Sequence, residues 1–225
     1  MTRMHLVLLI AAVCASAVRA EVRLPAIFSD HMVLQRNMPV PVWGWAGPGE
    51  KVTVSFGSVS VQATAASDGR WTVKLPALGA SAEPATLTVK AGETTVTIQD
   101  VVVGDVWLCS GQSNMAWQLS AAHNARDEIG KAFYPAIRLF TVPRAVSFQP
   151  QADCKGSWSF CAPAMAARFS AVGYFFGKEI HLSQKVPVGL IGSYVGGTPA
   201  QAWTSIEGLD SIPELKAAYG DRARE

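Results

Sequence analysis

Charge is scarce in this 225-residue sequence. Asp, Glu, Lys and Arg together make up 16% of it. Nineteen basic and 17 acidic side chains leave a formal net charge of +2, with Lys and Arg scattered along the chain. No basic stripe is present to hold nucleic acid or an anionic membrane surface. Cysteine and histidine number four each. No CxxC and no His/Cys cluster supports a zinc site, so neither a metal nor another cofactor is expected. Internal repeats and low-complexity tracts are absent, which removes solenoids and disordered linkers from consideration. No apolar run is long enough to span a bilayer.

Hydrophobic residues are plentiful at 49%. The chain therefore has material for a buried core and a length fit for one large domain or two small ones. Its start has the order of a secretory signal peptide. Arg3 and His5 precede the apolar run Leu6–Val13, and small residues lead to Ala20. Cleavage is expected after Ala20, with Ala17 as the alternative, and the product is expected to be secreted or periplasmic. Cys109, Cys154 and Cys161 then remain. Export permits disulfides, so Cys154 and Cys161, in one Gly/Ser/Trp loop, could pair. Cys109 lies in an apolar run and is expected to be a buried thiol.

Two kinds of strand pattern follow one another. In the first part, Val52, Val54 and Phe56 alternate with polar residues, as do Trp71, Val73 and Leu75, and Leu87 and Val89. Period-two alternation marks strands with one buried face. Gly47-Pro48-Gly49, Ser67-Asp68-Gly69 and Ala91-Gly92-Glu93 supply turns between them. A small antiparallel β-sandwich is expected over residues 22–100. From Val101 the pattern changes. Residues 101–109, 137–142 and 186–192 are nearly continuous apolar runs, as in parallel strands buried on both faces. Residues 163–183 read as a helix with Phe169, Val172, Phe176 and Ile180 on one face. Strand, helix, strand is the alternation of an α/β layer fold over residues 101–225. Three strands make a small parallel sheet, so the domain reads as incomplete. A further helix is expected to begin near Leu215.

Ser113 follows the first apolar strand and precedes a helical segment. Ligands bind open α/β sheets at the carboxyl ends of the strands. A serine there is either a nucleophile beside backbone donors or a helix cap; composition and spacing favour neither. Gly111 allows the tight turn that such a serine needs. The glycines of Tyr194-Val195-Gly196-Gly197-Thr198-Pro199 follow the last strand. They are either donors to an oxyanion or an ordinary turn.

Several segments carry a resemblance. Gly104-Asp105-Val106-Trp107 with Gly111-Gln112-Ser113-Asn114-Met115 resembles the first catalytic block of the sialate O-acetylesterase family of SGNH-type serine hydrolases. Phe169–Gly177 resembles that family's helix. Val188-Gly189-Leu190-Ile191 with Gly196–Trp203 resembles its second block, and Leu24–Gln35 resembles its N-terminal segment. The resemblance implies a flavodoxin-like α/β/α catalytic domain joined to the β-sandwich. It also implies a serine esterase that removes acetyl groups from O-acetylated sugars. Ser113 would be the nucleophile, with its own N–H in the oxyanion hole and a second donor from Gly196 or Gly197.

The family's later blocks do not occur here. No Gln-Gly-Glu follows Thr198, and no histidine follows His181, so the Asp-x-x-His that supplies the base is missing. His123, ten residues after Ser113, would lie about 15 Å along a helix from it, too far to act. His31 belongs to the sandwich region and His181 to a helix end. The chain therefore reads as the N-terminal part of a longer esterase, weak or inactive alone. The alternatives are a truncated, inactive fragment, a carbohydrate-binding module, and an acetyl xylan esterase-like activity.

Overall fold

The computed structural model describes residues 21–220 apart from Phe148; the expected signal peptide lies outside the described residues. The strands are β1 (Val33–Gln35), β2 (Val40–Trp45), β3 (Lys51–Phe56), β4 (Val59–Thr64), β5 (Arg70–Leu75), β6 (Ser81–Ala91), β7 (Thr94–Gly111), β8 (Tyr134–Thr141), β9 (Trp158–Cys161) and β10 (Val188–Tyr194). The helices are α1 (Ser113–Ala116), α2 (Ala125–Lys131), α3 (Pro163–Ala166), α4 (Ala171–Gln184), α5 (Ile206–Asp210) and α6 (Pro213–Leu215).

The first part is mainly antiparallel, with the short β1 pairing parallel to β7. β3 pairs with β4 and β6, and β6 with β7, while β2 and β5 form a separate two-stranded sheet. Val52, Val54, Trp71, Val73, Leu75, Leu87 and Val89 all point into one shared core. The second part is parallel: β7, β10 and β8 lie side by side, closed by antiparallel β9. Leu139 and Leu190 face the second core, under α4, while the alternate residues Phe140 and Ile191 pack with the sandwich core. The mixed α/β architecture with a parallel sheet beside a β-sandwich agrees with the expected fold class.

One strand joins the two parts. β7 pairs antiparallel with β6 through Val103, then parallel with β10 from Asp105 to Gly111. The division expected near residue 100 falls inside this strand. Gly104 marks the handover. A Cβ there would lie 1.9 Å from the Pro187 carbonyl oxygen, which accepts a hydrogen bond from Asp105 N at 2.9 Å. Only glycine lets the two backbones approach this closely.

Two expectations need correction. The single helix over 163–183 is two, because Ser170 takes the cap of α4 by accepting from Gly173 N at 3.1 Å. Its buried face is partly different: Phe169 and Ile180 pack into the second core as expected, joined by Ala171, Gly173, Tyr174 and Gly177, while Val172 and Phe176 are 50% and 40% exposed. The reason is close approach. A Cβ on Gly177 would sit 2.6 Å from Leu190 Cδ1, so the helix lies on β10 through its glycines. Counting only large apolar residues misses such a face. The open question of a Cys154–Cys161 pair is answered by two free thiols. Cys154 packs against the sandwich core and Cys161 lies in the second core, so the two face different layers. Cys109 is buried and free, as expected.

Candidate active site

β7 and β10 run in register, and their carboxyl ends deliver Ser113 and Gly196 to the same edge. Tyr194 is paired with Gly111, and Val195 N donates to Gly111 O at 3.1 Å. Gly111 then turns the chain with φ +140°, a region that disfavours side chains. Ser113 opens α1 and is exposed. A Cβ on Gly196 would lie 3.8 Å from Ser113 Cα and 4.0 Å from Ser113 Oγ. Gly197 has φ +80° and would meet nothing within 4 Å. Gly196 therefore adjoins the serine, and Gly197 makes the turn beyond it.

Ser113 is not the helix cap. Gln112 holds that position, and its Oε1 accepts from Ser113 N at 2.9 Å and from Ser113 Oγ at 2.5 Å. The serine N–H and hydroxyl thus converge on one carbonyl-type oxygen. Glutamine is outside the usual capping residues, so nothing in the sequence flagged it. Other contacts fix the surroundings. Ser170 Oγ bonds Met115 Sδ at 3.2 Å, tying α1 to α4. Trp203 Nε1 donates to Thr198 Oγ1 at 2.8 Å, and Thr198 Oγ1 donates to Val195 O at 2.7 Å, folding the glycine turn on itself. A cavity of about 370 Å³ opens by the carboxyl end of β8, lined by Thr141, Pro143, Met165, Arg168 and Phe169 among others.

None of the described histidines is bonded to the serine. His31 Nδ1 lies 2.6 Å from Asp100 Oδ2, eleven residues before the strand end at Gly111 and so on the order of 30 Å from it. His181 Nδ1 donates to Val186 O at 2.7 Å, at the amino end of β10. His123 follows a short 3-10 turn, not a continuous helix, and is exposed. Among the described residues no group of three or more His, Cys, Asp or Glu could hold a metal ion, and no helix is long and apolar enough to cross a membrane.

No family model matches the chain. It is 31% identical over 206 residues to the sialate O-acetylesterase of Rattus norvegicus and 31% identical over 202 residues to that of Homo sapiens, covering 83% and 81% of the chain. The chain is a homologue of the sialate O-acetylesterases. This homologue is also 38% identical, with a TM-score of 0.82, to the crystal structure of a carbohydrate acetylesterase from Xanthomonas citri, over 91% of this chain and 45% of that one. The chain spans 38% and 39% of the length of these two curated relatives.

Proposed function

We propose that this chain belongs to a secreted carbohydrate O-acetylesterase in which Ser113 is the nucleophile. The observation that carries the reading is the meeting of Ser113 and Gly196 at the carboxyl ends of two adjacent parallel strands. Residues 22–100 are a β-sandwich unit and residues 101–225 the N-terminal part of an SGNH-type esterase unit, with β7 common to both.

The chemistry is acyl transfer. Ser113 Oγ attacks the acetyl carbonyl of an O-acetylated sugar, and the hydroxyl proton passes to a base. The carbonyl oxygen becomes an oxyanion, held by the N–H groups of Ser113 and Gly196. Collapse releases the sugar hydroxyl and leaves an acetyl ester on Ser113, which water then hydrolyses to acetate. For this, the Gln112 side chain must leave the Ser113 N–H. The substrate acetyl oxygen then takes the place now held by Gln112 Oε1. The base is taken to come from outside the described residues: His31 is held by Asp100, His181 by the Val186 carbonyl, and no described histidine is bonded to Ser113.

O-acetylated sialic acid is the substrate favoured by the names of the curated relatives; a wider class of acetylated sugars, xylan-type ones included, fits the name of the structurally similar carbohydrate acetylesterase. Acetate release from O-acetylated sialic acid by the full-length protein that carries this chain, and by its Ser113→Ala variant, tests the proposal. The variant is expected to lose release by a factor of about a thousand or more. Equal rates would end it.

A further inference from the structure

The two-stranded sheet of the sandwich carries an aromatic face. β2 and β5 pair with Trp43 opposite Thr72, Gly44 opposite Trp71, and Trp45 opposite Arg70. Alternation puts Trp43, Trp45, Thr72 and Arg70 on one side and Trp71 on the core side. Trp43 is 38% exposed. These residues and Ala152 surround a cavity of about 310 Å³. Ala152 belongs to a loop that is fastened down: Asp153 accepts from Ala26 N at 2.9 Å and pairs with Arg23 at 3.6 Å. The cavity wall is therefore fixed. Trp71 also lines the cavity, and its indole N–H has no hydrogen-bond partner among the described residues.

The chemistry of the lining selects among occupants. A cation is disfavoured, because the Arg23 guanidinium already lies 3.9 Å over the Trp45 ring and Arg70 adds charge of the same sign. An apolar helix is too large for the space, and its sides would meet those two guanidinium groups. A pyranose ring fits both features. Its C–H face carries small positive charge and stacks on the negative face of the Trp43 indole, the Trp45 ring being covered by Arg23. Its hydroxyl rim accepts from arginine and exchanges hydrogen bonds with threonine. None of the lining residues belongs to the strand ends that carry Ser113 and Gly196.

We infer that the Trp43, Trp45, Arg70 and Thr72 face of the β-sandwich is a carbohydrate-binding site separate from the esterase site, holding a sugar residue of the glycan on which the protein acts. The last clause rests on the esterase reading; the binding site itself does not. Calorimetric titration of the full chain with sialyllactose and with xylotetraose, neither carrying an acetyl ester, tests it. At least one is expected to bind saturably, and the arms tell an acidic from a neutral glycan. Trp43→Ala should weaken that binding about fivefold or more. Trp43→Leu, which keeps bulk against Phe28 and removes the indole face, should weaken it similarly without unfolding the sandwich. Ser113→Ala should bind as the parent does. Binding by neither sugar, or undiminished binding by Trp43→Leu, overturns the inference. Loss of the esterase reading would show instead as unchanged acetate release by Ser113→Ala, with sugar binding intact.

Discussion

The Cβ position of Gly196 lies 4.0 Å from Ser113 Oγ. That distance is ordinary van der Waals contact, so an added methyl would fit the folded chain while filling the space beside the hydroxyl. Gly196→Ala is therefore expected to change the thermal midpoint little and to lower kcat/KM for an acetyl ester about tenfold or more. Paired melting and kinetic measurements check this. A variant that keeps full turnover would place the substrate carbonyl elsewhere.

Gly104 stands where β7 changes partners. Its Cβ position overlaps the Pro187 carbonyl at 1.9 Å, a backbone atom that can move only if β7 and β10 separate. Gly104→Ala is expected to cost about 3 kcal/mol, or a fall in midpoint of about 10 °C. Gly79, with nothing within 4 Å of its Cβ position, is the matched control. Its alanine variant is expected to melt within about 2 °C of the parent.

Arg138 is buried at 4% exposure, and its guanidinium donates to Asp100 Oδ2 at 2.7 Å and to Asp100 Oδ1 at 3.2 Å. Arg138 comes from β8 and Asp100 from β7, so the pair ties the parallel sheet to the sandwich. Asp100→Asn keeps a residue that tolerates the observed φ of +54° but removes the charge. A loss of about 3 kcal/mol is expected, because one buried charge is left without its partner. Burial pushes the Asp100 carboxyl up, but hydrogen bonds and charge from Arg138 and His31 outweigh it, and the net shift is downward. A lowered folded value means stability present above the unfolded carboxylate range and lost as pH falls through the folded value. Midpoints measured below about pH 4 should fall more steeply for the parent than for Asp100→Asn.

The three described cysteines make a separate test. Burial pushes the Cys161 thiol up to about 12 and raises Cys109 as well; Cys154 is raised by burial and by Asp153 but is only half-buried. Mass analysis without reductant is expected to find all three as thiols. Alkylation near pH 8 should label Cys154 first and the other two only on unfolding. A Cys154–Cys161 bridge would contradict the arrangement.

Much of the fold was legible because its signals are local. The alternation in β3, β5 and β6 and the apolar runs of β8 and β10 each follow from which faces are buried. β7 was legible only in halves. Its first half alternates and its second does not, because its neighbours change at Gly104, and no local pattern reveals that one strand serves two sheets. The buried face of α4 was legible only in part, because glycines at 173 and 177 pack by having no side chain. At the site, composition and spacing left Ser113 between cap and nucleophile. Contact geometry removed the cap reading by putting Gln112 in that place. It also separated Gly196 from Gly197, which spacing alone could not do.

The central claim concerns the atom that takes the acetyl group. The most direct measurement is peptide mass spectrometry of the full-length protein that carries this chain, quenched in acid during turnover of 4-nitrophenyl acetate. The expected result is one acetyl group on the peptide containing Ser113, absent from the Ser113→Ala variant together with acetate release. An acetyl group confined to another residue, or acetate release that survives unchanged in Ser113→Ala, would contradict the account.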